Sequence, residues 1–244
     1  MYVWDIPIPN TIRVCTFQNG KVFTPQQPYT IFPGDVFEFG HLSTPFSPYA
    51  SAVVASVAQN VTPFYDVTFE GGLPAGILVS DIVVQATMAT ALLRNFTVCC
   101  NRARGILIKN RGTLIDNCQV HPLSHCGLLN LSLLPQFLNN SGECIQITTD
   151  CGYWWEGSPT RDITVRNSLL DGCNFGAGAT PAALMIFVES AFPNQTVSQP
   201  AGTHRNIVLQ GNRIANLPFG GGVYIGSALN VTVEKYVKSS LSIP

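Results

Sequence analysis

From about residue 89 onward one pattern keeps returning. LLRNFTVCCN, GTLIDNCQV, RDITVRNSLL, HRNIVLQGNRI and ALNVTVEKY are short runs of alternating apolar residues, several followed by Asn or a small polar residue. Between them stand GILIKN, ECIQITTD, ALMIFVES and GGVYIG, which alternate in the same way and are rich in β-branched side chains. A period of two belongs to strands, and no segment here keeps a helical period for three turns. Two or three short strands per unit, with units returning every 20 to about 45 residues, is the pattern of a solenoid. Asn suits its corners, because it tolerates left-handed backbone and hydrogen-bonds its own main chain. The competing architecture is an all-β sandwich, which expects Asn-Gly hairpin turns between neighbouring strands. The single Asn-Gly, Asn19-Gly20, lies outside the repeats. The pattern therefore favours an all-β chain whose residues 87–244 form a right-handed parallel β-helix.

The first 86 residues read differently. PQQPYTIFPGD is a Pro-rich turn region, and VFEFG, SAVVASVAQ, FYDVTFEG and ILVSDIVVQ look like antiparallel strands on short loops. FPGD before VFEF reads as a turn feeding a strand. A small β-barrel-like module over residues 1–86 is expected. HCGLLNLSLLPQFLNN fits neither pattern and interrupts what would be a compact corner.

Composition narrows the function. Charged residues are 11% of the chain and the net charge is -1, so no basic stripe exists to neutralise a nucleic-acid backbone. No run of about 18 apolar residues suggests a membrane span. The opening MYVWDIPIPN is not a signal peptide. Eight cysteines (15, 99, 100, 118, 126, 144, 151 and 173) contain no C-x-x-C pair, and His is scarce, which argues against zinc. They fit one or two disulfides or buried thiols, and spacing does not give the pairing. Six N-x-S/T sequons, at Asn60, Asn95, Asn130, Asn139, Asn194 and Asn230, point to a secreted, glycosylated protein. A secreted chain without a signal reads as a fragment.

The acids are unevenly placed. Four of the fourteen, Asp150, Glu156, Asp162 and Asp171, fall within DCGYWWEGSPTRDITVRNSLLD. A sugar site needs a flat aromatic against the apolar face of the ring and carboxylates flanking the bond to be cut. Tyr153, Trp154 and Trp155 supply the first; Asp150, Glu156 and Asp171 supply the second. Stacked strands lie about 4.8 Å apart. Acids one or two coils apart across a groove would be separated by roughly 6 to 9 Å, which leaves room for a water and belongs to inversion. Asp150 and Asp171 are the candidate catalytic pair, with acid and base unassigned. Each also has a structural reading: Asp150 can bond turn amides, and Asp171-Gly172 suits a plain turn. Glu156 can pair with Arg161. Of the adjacent Trp154 and Trp155, one would point inward. Arg102 and Arg104 face one side of a strand and either grip substrate hydroxyls or pair with the acids. Asp162 fits a turn. Glu143 and Glu189 are reserve acids. His121, His125 and His204 show no partner pattern and read as surface or turn residues.

Together, NRARGILIKN, SGECIQITTD, DCGYWWEGSPTRDITVRN and HRNIVLQGNRI resemble the β-helix of glycoside hydrolase family 110, the α-1,3-galactosidases. The likeness spans roughly residues 88 to 236, and the Asp150-to-WWEG-to-ITVRN run is its specific part. The earlier GDVFEF and VTFEGGLPAGILVSD look like the barrel inserted into that helix. The resemblance implies a metal-free, cofactor-free inverting hydrolase acting on galactose-terminated glycans. It also implies that N-terminal coils precede this chain and that Pro122 to Asn140 is an insertion. That family often carries consecutive acids at the corner where this chain has Asp171-Gly172. A sugar-binding or inactive β-helix is the alternative function. A galacturonase would need a Gly-His-Gly phrase, which is absent.

Overall fold

Apolar alternation resolves into strands throughout the described residues. A computed structural model describes residues 2–15, 17–18, 21–22, 31–41, 43–44, 47–59, 64–86, 90–101, 105–122, 142–150, 159–173, 182–189, 201–217 and 220–239. The described residues are all-β with no helix. The chain divides into two compact units. One is Met1–Met88 with Asp150–Ser158 and Glu189–Pro200. The other is Ala89–Thr149 with Pro159–Val188 and Ala201–Pro244.

In the first unit, β1 (Tyr2–Ile8), β2 (Thr11–Cys15), the short pair β3 (Phe17–Gln18) and β4 (Lys21–Val22), β5 (Val36–Gly40), β6 (Ala50–Gln59), β7 (Tyr65–Phe69) and β8 (Ile82–Gln85) follow in order. Six of them close an antiparallel barrel in the order β1-β2-β7-β6-β5-β8, and Tyr2 opposite Ile82 completes the ring. Alternation explains the filling. Ile12 and Val14 of β2, Phe37 and Phe39 of β5 and Val67 and Phe69 of β7 are buried together. Phe69 meets both other rings edge-on, with centroids 5.8 and 5.5 Å away, the arrangement that the ring quadrupoles favour. The turn before β5 places Gly34 at φ 90°, where a side chain would be strained. The Asp35 carboxylate fastens that turn, accepting from Phe32 N and Gln85 Nε2 at 2.7 Å each.

The second unit holds β9 (Leu92–Arg94), β10 (Thr97–Asn101), β11 (Ile106–Ile108), β12 (Leu114–Asp116), β13 (Gln119–Pro122), β14 (Ile145–Asp150), β15 (Arg161–Arg166), β16 (Leu169–Asp171), β17 (Ala182–Glu189), β18 (His204–Gln210), β19 (Arg213–Ala215), β20 (Gly221–Ile225), β21 (Ala228–Glu234) and β22 (Val237–Ser239). They form three sheets: β9-β12-β15-β18-β21, β10-β13-β16-β19-β22 and β11-β14-β17-β20. The chain visits the three in fixed rotation, and each recorded pairing is parallel.

Register puts like on like. In the first sheet Leu93, Ile115, Val165, Leu209 and Val233 stand in one row. Val120, Leu170 and Ile214 make a row in the second sheet. Apart from the exposed Val233, these rows merge with Ile145, Ile147, Leu184 and Ile186 of the third sheet into one apolar core. Burying each such side chain contributes about 1.5–3 kcal/mol relative to leaving it exposed.

A second row sets the corner after each strand of the first sheet. Asn95, Asn117, Asn167, Gly211 and Lys235 all have φ between 50° and 62°. Each of the first four donates its backbone N–H to the strand-end carbonyl of the following round: Asp116, Arg166, Gln210 and Glu234. Asn117 Nδ2 also donates to Asn95 Oδ1 at 2.7 Å. A Cβ on Gly211 would come within 2.7 Å of Asn167 Oδ1, so the side chain one round earlier fills the space that glycine leaves. Asp162, Asn206 and Asn230 form a further left-handed row inside the strands. Asn230 Nδ2 donates to Asn206, and Asn206 Nδ2 donates to Asp162, at 2.9 Å each. Cys144 and Cys173 are joined by a disulfide with Cα atoms 5.4 Å apart, and Cys118 is a buried free thiol.

Candidate functional site

β14 carries the segment singled out by the sequence. Ile145 and Ile147 enter the core, which puts Gln146 and Thr148 at the alternate register. Both are nevertheless buried, and Gln146 Oε1 has no hydrogen-bond partner among the described residues. Thr148 Oγ1 donates to the Thr149 carbonyl at 3.3 Å. Asp150 is the last residue of this strand. Tyr153, Trp154, Trp155 and Glu156, which follow it, lie outside the described residues, as do Arg102 and Arg104. Of the reserve acids, Glu143 is buried just before β14 and Glu189 ends β17.

Asp171 is the last residue of β16, in the second sheet, whereas β14 belongs to the third. The two candidate acids thus close strands of different sheets and are not successive rungs of one sheet. Asp171 is 9% exposed, and Asn216 Nδ2 donates to its Oδ1 at 2.6 Å. Asn216 follows β19, one round later, and has φ 52°. Gly172 at φ 62° donates its N–H to the Ala215 carbonyl. These bonds make Asp171 the fastening of a stacked corner. Asp162, read as a turn residue, sits within β15 as the first member of the Asp162–Asn206–Asn230 row.

Two other polar groups escaped the sequence reading. His204 is fully buried, contrary to its reading as a surface or turn residue. Its Nε2 lies 2.9 Å from the Phe187 carbonyl and its Nδ1 2.8 Å from Thr160 Oγ1. A carbonyl only accepts, so Nε2 carries the proton and Nδ1 accepts from the threonine hydroxyl. Burial lowers its pKa to about 4, partly opposed by the bond to Phe187. Outside the core, Asp116 accepts from Arg166 Nη2 at 2.8 Å, and Arg94 Nε stands 3.5 Å away. The Arg166 hydrogen bond is the main cause that lowers the Asp116 pKa. The register that aligns Arg94, Asp116 and Arg166 builds this row, and a linear reading cannot show it.

In the barrel, Asp81 is buried beside β8 and accepts from Tyr49 Oη at 2.5 Å and Leu78 N at 2.8 Å, with His41 Nδ1 at 2.9 Å. The His41 and Tyr49 rings stack 4.4 Å apart. Burial, and then the bond to Asp81, raises the Tyr49 pKa above its ordinary value. Among the described residues no group of three or more His, Cys, Asp or Glu could hold a metal ion. No described helix is long and apolar enough to cross a membrane. No protein-family model matches the chain, and no curated protein matches it.

Proposed function

We propose that the second unit is a right-handed parallel β-helix and that the protein is a secreted glycoside hydrolase removing terminal α-linked galactose from glycans. Strands dealt in rotation to three parallel sheets, with a left-handed corner in the same place in five rounds, support the fold. One observation carries the function: Asp150 closes a strand and leads straight into Tyr153-Trp154-Trp155-Glu156, the run where the likeness to glycoside hydrolase family 110 is most specific. In this reading Asp150 and Asp171 are the two carboxyl groups of an inverting reaction. One protonates the leaving oxygen and the other takes a proton from the attacking water, with no metal. The aromatic run covers the apolar face of the sugar, and Arg102, Arg104 and Glu156 hold its hydroxyls.

A second reading, a β-helix that binds carbohydrate without cleaving it, is favoured by the Asn216–Asp171 bond, which ties the second acid into a corner. Hydrolysis of a chromogenic α-galactoside separates the two. The hydrolase reading expects galactose released first as the β anomer and a loss of about 10²–10⁴-fold in Asp150→Asn. Saturable binding of galactose-terminated glycan by a folded chain that releases no sugar establishes the second reading instead.

A further inference from the structure

Six sequons are present, and the structure describes the asparagine of two, Asn95 and Asn230. They differ in what their side-chain nitrogens do. Asn230 Nδ2 is engaged, donating to Asn206 Oδ1. At Asn95 the roles are reversed. Its Oδ1 is the bonded atom, accepting from Asn117, while its Nδ2 donates to nothing among the described residues. The side chain is exposed at a left-handed corner, held by one atom and free at the other. The free atom is the one that N-glycosylation uses.

The surroundings point the same way. Asn95 directly follows β9, which stands at the edge of its sheet. Leu92 on that strand is 62% exposed and Phe96 beside the asparagine is 49% exposed. A hydrated oligosaccharide at Asn95 would project from this exposed corner without breaking any of its bonds.

We propose that Asn95 is an N-glycan acceptor. The donor is a lipid-linked, N-acetylglucosamine-terminated oligosaccharide. A bond forms between Asn95 Nδ2 and the anomeric carbon. The bond from that carbon to the lipid pyrophosphate breaks, the pyrophosphate leaves with the electron pair, and the amide gives up one proton. The inference rests on the secretory part of the reading above and is independent of whether the protein cleaves galactosides.

The test is to direct the full chain into the secretory pathway of a eukaryotic cell with an added leader and to map its glycopeptides. Thr97→Ala removes the sequon while leaving Asn95 and its bond to Asn117; Thr97→Ser keeps the sequon. The site proposal expects an occupied Asn95 in the parent and in Thr97→Ser. It expects one fewer glycosidase-sensitive mass increment in Thr97→Ala. Because the parent is mapped directly, the answer holds even if Thr97→Ala folds poorly. A bare Asn95 in the parent chain overturns the proposal. The galactoside assay moves with neither outcome.

Discussion

The two units reach a packed apolar core by opposite routes. The barrel closes on itself, so its core has no end: Phe37, Phe39 and Phe69 meet inside a ring in which every strand has two neighbours. The parallel sheets do not close along their stacking direction. Their inner row runs Leu93, Ile115, Val165, Leu209, and ends at Val233, which is 44% exposed, with Val237 of the same round 56% exposed. A closed ring makes the worth of a core residue depend on its own packing. In the parallel sheets it depends on position, because a strand at the end of the described order has one neighbour and an inner strand has two.

The largest expected effects test that contrast at the centre of each unit. Phe37→Ala and Leu209→Ala both empty fully buried sites and should cost about 3–5 and 2–5 kcal/mol, read as lowered urea midpoints. A Leu209→Ala cost under 1 kcal/mol would mean that the inner row is not a core.

His204 gives the next effect, through pH. Its folded pKa of about 4 lies below its ordinary value of about 6.5, so protons bind the unfolded chain more readily. The stability it contributes is complete above about pH 6.5. It is lost progressively as pH falls through 4, to a total of roughly 3 kcal/mol. His204→Gln should flatten that part of the stability–pH curve. A curve with the same slope in both proteins would place the titration elsewhere.

Smaller effects belong to the corner and the open end. Asn167→Ala puts an ordinary side chain at φ 51° and should cost about 1–2 kcal/mol, whereas Asn167→Gly should cost less, because glycine adopts that backbone freely. An equal cost for both would mean that the amide bond to Asp116, not the backbone, is what matters. Val233→Ala, at the end of the row that Leu209 occupies, should cost under about 1 kcal/mol, since less area is removed from water there. Equal costs at 209 and 233 would abolish the distinction between ring and stack.

The strands were legible because each is a local alternation. LLRNFTVCCN holds β9 and β10, GTLIDNCQV holds β12 and the first half of β13, and ECIQITTD, ALMIFVES and GGVYIG hold β14, all but the first residue of β17, and β20. The corner asparagines were legible too, since a left-handed residue is a one-residue property. β1, with Pro7 among its apolar residues, was not picked out, yet its pairing with β8 closes the barrel. What escaped depends on the stack. His204 meets Thr160, 44 positions away, and Cys144 finds Cys173 across 29. Asp171 looked like a catalytic acid or a turn residue, and the asparagine that binds it lies 45 residues further on, set beside it by the parallel register of β16 and β19. For Asp150 the sequence identified a strand end, which is where the residue lies, but no local pattern says which sheet its intended partner belongs to.

That register is what everything else rests on, and cross-linking tests it directly. Thr164 and Val208 are paired neighbours on β15 and β18, whereas Thr164 and Gln210 are offset by two residues. Cysteines placed at 164 and 208 should form a disulfide under mild oxidation, identified by peptide mapping, much faster than cysteines at 164 and 210. Preferential cross-linking of the 164–210 pair would contradict the parallel rungs described for this unit.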